Sequence, residues 1–510
     1  MKNIPHPRIG RSTIGLSGII ASLAFVTTLV SVLIPPQSAQ ATSLMTLYSF
    51  CSKPGCTDGS LANGLIQATD GNIYGTTQDG GANCLGCGTV FKLASSGKLT
   101  TLYSFCSQAY CSDGQNPTGV IQATDGYLYG TTISGGAHGN NGTVFKITPS
   151  GTLTTLYSMF KISRSPDRPL IQGTNGNFYG NTGAGGQNFD GSIYKITPSG
   201  KLTTLYSFCS QSGCPDGSFP NGLIQASNGS LYGTTAEGGV TSSSCALGCG
   251  TVFEITPSGT LTTLYRFCSQ SGCPDGHFSL SEVIQATDGN FYGTTNGGGA
   301  HGDNGTVFKI TPSGTLTTLH SFCSQTNSQG NCLDGANPIA GLIQATDGNL
   351  YGFTQYGGAN STSCNLGCGT VFKITPGGTL TRLYSFCSQI NCTDGNAPGT
   401  LMQDTDGNFY GTTSGGGAKK SGTIFSLSVG LGPFVKTQTT SGEVGAAIKI
   451  LGTDLTGSTD VTFNGTVAKF KVVSASEITT TVPAGATTGF VKVATPDGTL
   501  TSNGEFVVKP

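Results

Sequence analysis

From Leu44 to Ser428 the chain carries short bursts of alternating apolar and polar side chains, separated by glycine-rich turns. The bursts recur. The stretch Gly64-Leu65-Ile66-Gln67-Ala68-Thr69-Asp70-Gly71-Asn72-Ile73-Tyr74-Gly75-Thr76-Thr77 sets the pattern, and its Tyr-Gly-x-Thr core begins again at Tyr129, Tyr179, Tyr232, Tyr292, Tyr351 and Tyr410. Gly-Thr-Val-Phe or a close variant starts at Gly88, Gly142, Gly191, Gly250, Gly305, Gly369 and Gly422. Thr-Leu-Tyr-Ser-Phe or a variant ends at Phe50, Phe105, Phe160, Phe208, Phe267, Phe322 and Phe386. A period of about fifty to sixty residues belongs to propeller blades and is too long for a β-helix rung. Each unit predicts four strands, in the first unit Leu65–Thr69, Asn72–Thr77, Gly88–Leu93 and Lys98–Phe105. Asp70-Gly71 is expected as a two-residue primed turn, with Gly taking the positive φ. Apolar residues fall on both faces of these strands, as sheets packed between two neighbours require.

The ends of the repeat predict a ring. The last unit stops after Gly422-Thr423-Ile424-Phe425-Ser426-Leu427 with no fourth strand of its own, and an orphan copy of that strand, Leu44–Phe50, precedes the first unit. If the orphan completes the seventh blade, the exposed edge of that short blade is removed. In such a ring the short Asp-Gly and Pro-Ser-Gly turns share one end of the strands, and the long, variable loops share the other. Loops on a rigid scaffold are the usual seat of function. After Val429 the repeat ends, and residues 431–510 read as the alternating strands of a small sandwich. The fold class is therefore all-β: a seven-bladed β-propeller over 44–428, closed by the N-terminal strand, followed by an immunoglobulin-like β-sandwich.

Composition narrows the setting. Only 10% of residues are charged, 80 are Gly, and no stretch after residue 42 keeps a helical apolar period. Residues 1–41 read as a signal peptide: Lys2, Arg8 and Arg11 precede an apolar run to Ile34, and Ser38-Ala39-Gln40-Ala41 offers the small-x-small cleavage pattern. An uncleaved anchor is the alternative for so long a run. Loss of those three cations leaves an acidic excess, which argues against nucleic acid as a partner. The 18 cysteines fall into nine neighbouring pairs: Cys51/Cys56, Cys84/Cys87, Cys106/Cys111, Cys209/Cys214, Cys245/Cys249, Cys268/Cys273, Cys323/Cys332, Cys364/Cys368 and Cys387/Cys392. In an exported chain such pairs read as disulfides that pin loops. Four thiolates from Cys51/Cys56 with Cys84/Cys87 would make a zinc site, a reading that export disfavours. No metal and no cofactor are expected.

Candidate chemistry is thin. Gln67, Gln122, Gln172, Gln225, Gln285, Gln344 and Gln403 recur on the first strand; their amides are expected to bond neighbouring backbone, with a polar axial ring as the alternative. The Asp-Gly after each long cysteine loop (Asp58, Asp113, Asp216, Asp275, Asp334, Asp394) reads as an Asx turn, since one carboxylate cannot hold calcium. Glu237 and Glu282 are the weak catalytic candidates, as a carboxylate pair can cleave a glycoside. The loop before the third unit lacks cysteines and gathers Lys161, Arg164 and Arg168, a candidate patch for an acidic ligand.

The strings Asp-Gly-Asn-x-Tyr-Gly-Thr-Thr and Gly-Thr-Val-Phe-Lys-Ile-Thr-Pro-Ser-Gly resemble the bacterial GloVer tandem repeat over roughly residues 44–428. The resemblance implies an exported protein with no established activity. The tail, with its Gly-x-x-Gly-x-x-Ile-x-Ile-x-Gly opening and Phe-Asn-Gly turn, is similar to the IPT/TIG domain. The expectation is a secreted or cell-surface, non-catalytic interaction protein, monomeric, without a membrane span once its signal is cleaved. Its partner would be an extracellular polysaccharide or a surface protein, met by the long cysteine-stapled loops. An enzyme acting on extracellular polysaccharide through the same loops is the alternative.

Overall fold

The computed structural model describes residues 42–160, 165–359, 364 and 366–509; residues 1–41, expected from sequence as a signal peptide, lie outside the described residues. The described protein is all-β, with three single-turn 3-10 helices, and the fold is β-propeller-like. Seven four-stranded antiparallel sheets follow one another along the chain. In repeat 1 the strands are Ser60–Gln67, Ile73–Asp79, Thr89–Leu93 and Leu99–Ser104, each paired with the next. In the seventh sheet Asn396–Gln403, Phe409–Gly415 and Thr423–Ser428 are completed by Ser43–Ser49, which pairs with Thr423–Ser428 from Ser43↔Ser428 to Ser49↔Thr423. The orphan strand thus lies where the repeat pattern left a gap.

Two local expectations change. The first strand runs back to Ser60 in repeat 1 through a bulge between Asn63 and Leu65, yet in repeats 3, 5 and 6 only two residues pair (Ile171–Gln172, Ile284–Gln285, Ile343–Gln344). The Asp-Gly turn is a three-residue loop, with Ala68 N–H bonding Asn72 O and Gly71 N–H bonding Ala68 O. Gly71 alone takes positive φ (+76°). Asp70 keeps ordinary backbone because its carboxylate holds the turn, accepting from the Asn72 N–H (3.1 Å) and the Tyr74 hydroxyl (2.8 Å).

Packing between sheets follows from apolar side chains on both faces. One buried cluster joins repeats 1 and 2 through Tyr74, Phe105, Val120 and Phe145, and further clusters join each later pair of repeats. The last cluster joins Phe50, Leu65, Phe91 and Leu99 to Ile424, which packs the first repeat on the seventh. Large aromatic side chains contribute most here, at about 2–3 kcal/mol each for full burial. Within each sheet a buried hydroxyl pair, such as Thr77–Thr89 at 2.8 Å, ties the second strand to the third.

The C-terminal unit places a four-stranded and a five-stranded sheet around one core that includes Ile448, Ile450, Val461, Phe463, Ile478, Val493 and Phe506. It docks on the short-turn end of the repeats. Gln438 Nε2 donates to Ala123 O (2.8 Å), Ser476 Oγ to Thr69 O (2.9 Å), and Phe434 N to Thr405 O (2.9 Å). Lys436 is surrounded at this contact, though part of its surface stays open, and desolvation lowers its pKa against the pull of Asp404. Asp404 stands where the other repeats carry Ala or Gly. Burial, then the neighbouring Asp406, pushes its carboxyl up to about 6, while Lys436 opposes the rise.

Because the folded value exceeds the unfolded one, the contribution of Asp404 is fully present below about pH 4 and is lost as pH rises through about 6. Urea unfolding followed from pH 4 to pH 7 should show this loss in the parent, on the order of 2 kcal/mol. Asp404→Asn should remove that part of the slope; an unchanged slope would contradict the assignment.

Candidate functional site

The short-turn end carries the C-terminal unit, and the long loops lie at the other end. Its loops are held in two ways. All nine expected cysteine pairs are disulfides, with Cα–Cα separations from 4.0 to 5.4 Å, and no described cysteine is free. Both cysteines of the five-residue staples sit at positive φ, as in Cys51 (+60°) and Cys56 (+52°), a conformation unfavourable for residues with a Cβ. Cys111 and Cys392 depart from the plain loop expected of them. Cys111 ends the 3-10 turn Ala109–Cys111 and Cys392 ends the turn Ile390–Cys392, each at φ +53°. The turn forms because the cysteine N–H bonds back to Gln108 O (3.0 Å) and Gln389 O (3.0 Å) respectively, which brings each sulfur to its partner, Cys106 or Cys387.

The second device is a buried carboxylate. Asp58 accepts from Tyr48 OH (2.7 Å), Ser52 N (2.9 Å), Ser52 Oγ (2.8 Å) and Lys53 N (3.2 Å). Burial acts to raise its pKa, and these donors overcome that and lower it. Tyr103 with Asp113, Tyr206 with Asp216, Tyr265 with Asp275, Tyr384 with Asp394 and His320 with Asp334 repeat the latch. Burial and then the balance of these contacts push Tyr48, Tyr103 and Tyr265 up to about 12. These aspartates were expected to form Asx turns. Instead they reach back to the loop's start and across to the preceding strand. Asp58 spans five or six residues in doing so, and Asp334, in its longer loop, nine or ten.

At the short-turn end the repeats are tied together by glutamine. The N–H after each first strand donates to the glutamine of the next repeat: Thr69 to Gln122, Thr124 to Gln172, Thr174 to Gln225, Ser227 to Gln285, Thr287 to Gln344 and Thr346 to Gln403. Thr405 N–H donates to Gln67 Oε1 (3.3 Å), joining the last repeat to the first. The amides bond backbone, as expected, and tie repeats together.

Against this regular frame one place differs. Among the described residues Tyr157, the counterpart of Tyr48, has no carboxylate latch. A depression of about 550 Å³ opens beside it, lined by Gln108, Ser112, His138, Thr155, Tyr157 and Phe160 among others. The His138 and Phe160 rings meet edge to face at 5.2 Å. Here the repeat string misleads by one position: Met159 fills the buried place that Phe50 and Phe105 hold elsewhere, and Phe160 is displaced to the surface. Two aromatic rings, an imidazole and several hydroxyl and amide groups suit a polar ring such as a sugar.

Residues 35–244, 164–361 and 219–479 match, in overlapping stretches, the model of the Gloeobacter/Verrucomicrobia repeat. The chain belongs to this repeat family. No curated protein matches it in sequence. Among solved structures, a fungal alcohol oxidase of the AA5 family in complex with copper is similar at 14% identity, covering 92% of this chain and 99% of that one, with a TM-score of 0.50. At that identity the likeness is one of fold alone. The extracellular domain of a one-component system from B. thetaiotaomicron is similar at 11% identity, 92% and 58% coverage and a TM-score of 0.47. A surface component of the type-IX secretion system of Porphyromonas gingivalis stands at 14%, 90% and 60%, and 0.47. The chain spans about three fifths of those two.

Within this Gloeobacter/Verrucomicrobia repeat protein the candidates from sequence scatter. Lys161 and Arg164 lie outside the described residues. Arg168 turns inward, its Nη2 donating to Asn221 Oδ1 (2.7 Å) and Leu280 O (2.9 Å), so it braces repeats 4 and 5. Glu237 ends the second strand of repeat 4, where burial and then Asp190 raise its pKa. Glu282 fits between Gly222 and Gly341, where a Cβ at either would come within 2.8 Å of its carboxylate. Neither glutamate borders the depression.

Sequence reasoning missed a polar cluster in repeat 3. Asn181 Nδ2 donates to Asp167 Oδ1 (3.1 Å) and Pro220 O (2.6 Å), and Asp167 is raised by burial, against the pull of Arg168. Tyr194, buried nearby, has no partner for its hydroxyl. The signal was present: Asn replaces the usual Thr at 181, and Tyr the usual Phe at 194. His277 was also passed over. It is buried with Nε2 2.8 Å from Asp303 Oδ1, within ion-pair distance yet misaligned for a hydrogen bond.

The latch accounts for different costs at equivalent tyrosines. Tyr384→Phe removes the donor to the buried Asp394 and should cost about 1–2 kcal/mol in urea unfolding. Tyr157→Phe should change stability by less than about 0.5 kcal/mol. Equal costs would contradict the latch.

Proposed function

We propose that this protein is a secreted or cell-surface, non-catalytic interaction protein that meets its partner with the long-loop end of a seven-bladed β-propeller. The N-terminal strand closes the ring, residues 1–41 are the export signal, and residues 431–510 form an immunoglobulin-like module of the IPT/TIG kind on the opposite end. One observation carries the reading: stapled loops hold large apolar side chains out into solvent. Tyr110 is 99% exposed, Ile390 86%, Leu247 74%, Leu85 73% and Leu366 64%. Tyr110 and Ile390 stand in the 3-10 turns that Cys111 and Cys392 close. Flexible loops would fold such side chains away. Rigid ones present them, and exposed apolar groups gathered at one end of a molecule mark a contact surface.

Support comes also from what surrounds the loops. Nine disulfides suit an oxidising compartment. Among the described residues no helix is long and apolar enough to cross a membrane. The partner is an extracellular polymer or surface protein, and the depression at Tyr157 and His138 takes one polar ring of it. Glu237 and Glu282, the residues offered for a glycosidase, do not line that depression.

The test is retention of the protein on immobilised alginate, heparin, cellulose and chitin, and on washed cells of the source organism. The parent should be retained by at least one of these. The variant Leu85→Ser, Tyr110→Ser, Leu366→Ser, Ile390→Ser should lose retention at least tenfold with its melting unchanged. Retention unaffected by the four changes, or a parent held by none of the supports, would refute the reading.

A further inference from the structure

The long loops bring sulfur atoms together across repeats, which local pairing does not require. Cys245 and Cys249 staple the loop between the second and third strands of repeat 4, and Cys268 and Cys273 staple the loop that leads into repeat 5. The four sulfurs lie within 4.8 Å of one another, and all four residues are buried. Strand pairing explains the meeting. Cys249 stands just before the third strand, Thr251–Ile255, and Cys268 just after the fourth, Leu261–Arg266; the two strands are antiparallel with Thr251 opposite Arg266. Cys249 and Cys268 therefore flank the same end of one ladder. The zinc grouping considered from sequence, Cys51/Cys56 with Cys84/Cys87, drew both pairs from one repeat. The ladder instead joins each second-to-third loop to the loop that leads into the following repeat.

A hydroxyl sits among the four sulfurs. Ser242 Oγ lies 3.0 Å from Cys245 Sγ and 3.6 Å from the Sγ atoms of Cys249 and Cys273. In two equivalent places among the described residues only three sulfurs gather, Cys84, Cys87 and Cys106, and Cys364, Cys368 and Cys387. Each of those groups includes a residue that is not buried, and the fourth cysteine, Cys111 or Cys392, stays outside it. A tetrahedral ion with metal–sulfur bonds of about 2.3 Å sets its ligand sulfurs about 3.8 Å apart. The cluster at repeats 4 and 5 has the ligand number, the spread and the burial for that.

We propose that Cys245, Cys249, Cys268 and Cys273 form a tetrathiolate site that binds one zinc-class ion while the chain still carries thiols. Oxidation converts the same sulfurs into two disulfides. The newly made chain needs no reductant. On binding, four thiols release four protons to solvent and form four metal–sulfur bonds. On oxidation, a disulfide-exchange oxidant accepts four electrons in two two-electron steps, two S–S bonds form, and the ion leaves. Ser242 acts as a positioning residue whose hydroxyl donates to a thiolate, the kind of outer hydrogen bond that commonly shifts metal affinity about tenfold or more. The ion would hold the interface of repeats 4 and 5 before its staples exist.

The test uses the chain produced in a reducing cytoplasm with its thiols intact, titrated with Co(II) as the probe. One equivalent should bind with the intense thiolate absorption of tetrahedral sulfur coordination, and one equivalent of Zn(II) should displace it. Bound Zn(II) should protect these four cysteines from alkylation, read by mass spectrometry of peptides, which needs no variant. Cys268→Ser with Cys273→Ser should abolish the absorption, Cys323→Ser with Cys332→Ser should leave it, and Ser242→Ala should weaken affinity several-fold. The oxidised chain should bind none. No stoichiometric Co(II), protection falling on other cysteines, or equal binding by the oxidised chain would overturn the proposal.

Discussion

The hydrogen bond from the N–H after each first strand to the glutamine of the next repeat is the contact on which the remainder depends. That N–H heads a turn and has no partner within its own sheet. The bond is buried at Thr405 and part-buried at Thr69 and Thr346, and exposed at Thr124, Thr174, Ser227 and Thr287, so it sets register between repeats more than it adds energy. Each glutamine meets this need for its neighbour and, in repeats 2 to 7, spends its own Nε2 on a turn carbonyl such as Gly126 O. Gln67 is the exception. Its Nε2 donates to Asp404 Oδ1 and Thr405 Oγ1, both at 2.8 Å, because the preceding repeat here is the seventh and carries Asp where others carry Ala or Gly. The joint between first and last repeats is thus the most elaborate of the seven, and the C-terminal unit docks beside it. The first and last repeats meet through that joint, through the pairing of Ser43–Ser49 with Thr423–Ser428, and through the apolar cluster around Ile424.

Apolar packing supplies the energy and the polar contacts supply the register. Each aromatic cluster spans two sheets, so no repeat buries its core alone. The hydroxyl pairs and Tyr–Asp latches add little net energy apiece. Their effect is to fix which face meets which, and to carry loops on a frame that does not shift. The parts the frame does not dictate are loop length, cysteine spacing and the apolar tips.

Much of this was legible in the sequence because a repeat reports its own exceptions. The four strands, the completing role of Leu44–Phe50 and all nine cysteine pairs follow from counting. Turn geometry did not, since Asp-Gly serves both two-residue and three-residue loops and only the Asp70 contacts decide between them. The 3-10 turns ending at Cys111 and Cys392 were hidden for a like reason, as a cysteine spacing fixes a pairing and leaves the backbone between open. The lead-in aspartates were misread because their partners lie well back in the loop and on another strand. The site was least legible. Arg168 reads as a surface cation and is spent on Asn221 and Leu280. The depression at Tyr157 lies where the described residues supply no carboxylate latch and Met159 displaces Phe160, which a string match hides. Asn181 and Tyr194 were visible as departures from the repeat, and needed only a comparison of each unit against the others.

The central claim is that the first strand and the first repeat close the fold on the seventh. It is tested most directly by comparing the parent with a chain lacking residues 42–50, using urea unfolding monitored together with sedimentation. The account predicts that the shortened chain exposes the edge of Thr423–Ser428, loses its single cooperative transition and self-associates as concentration rises. A shortened chain that stays monomeric and unfolds in one transition at the parent's midpoint would contradict it.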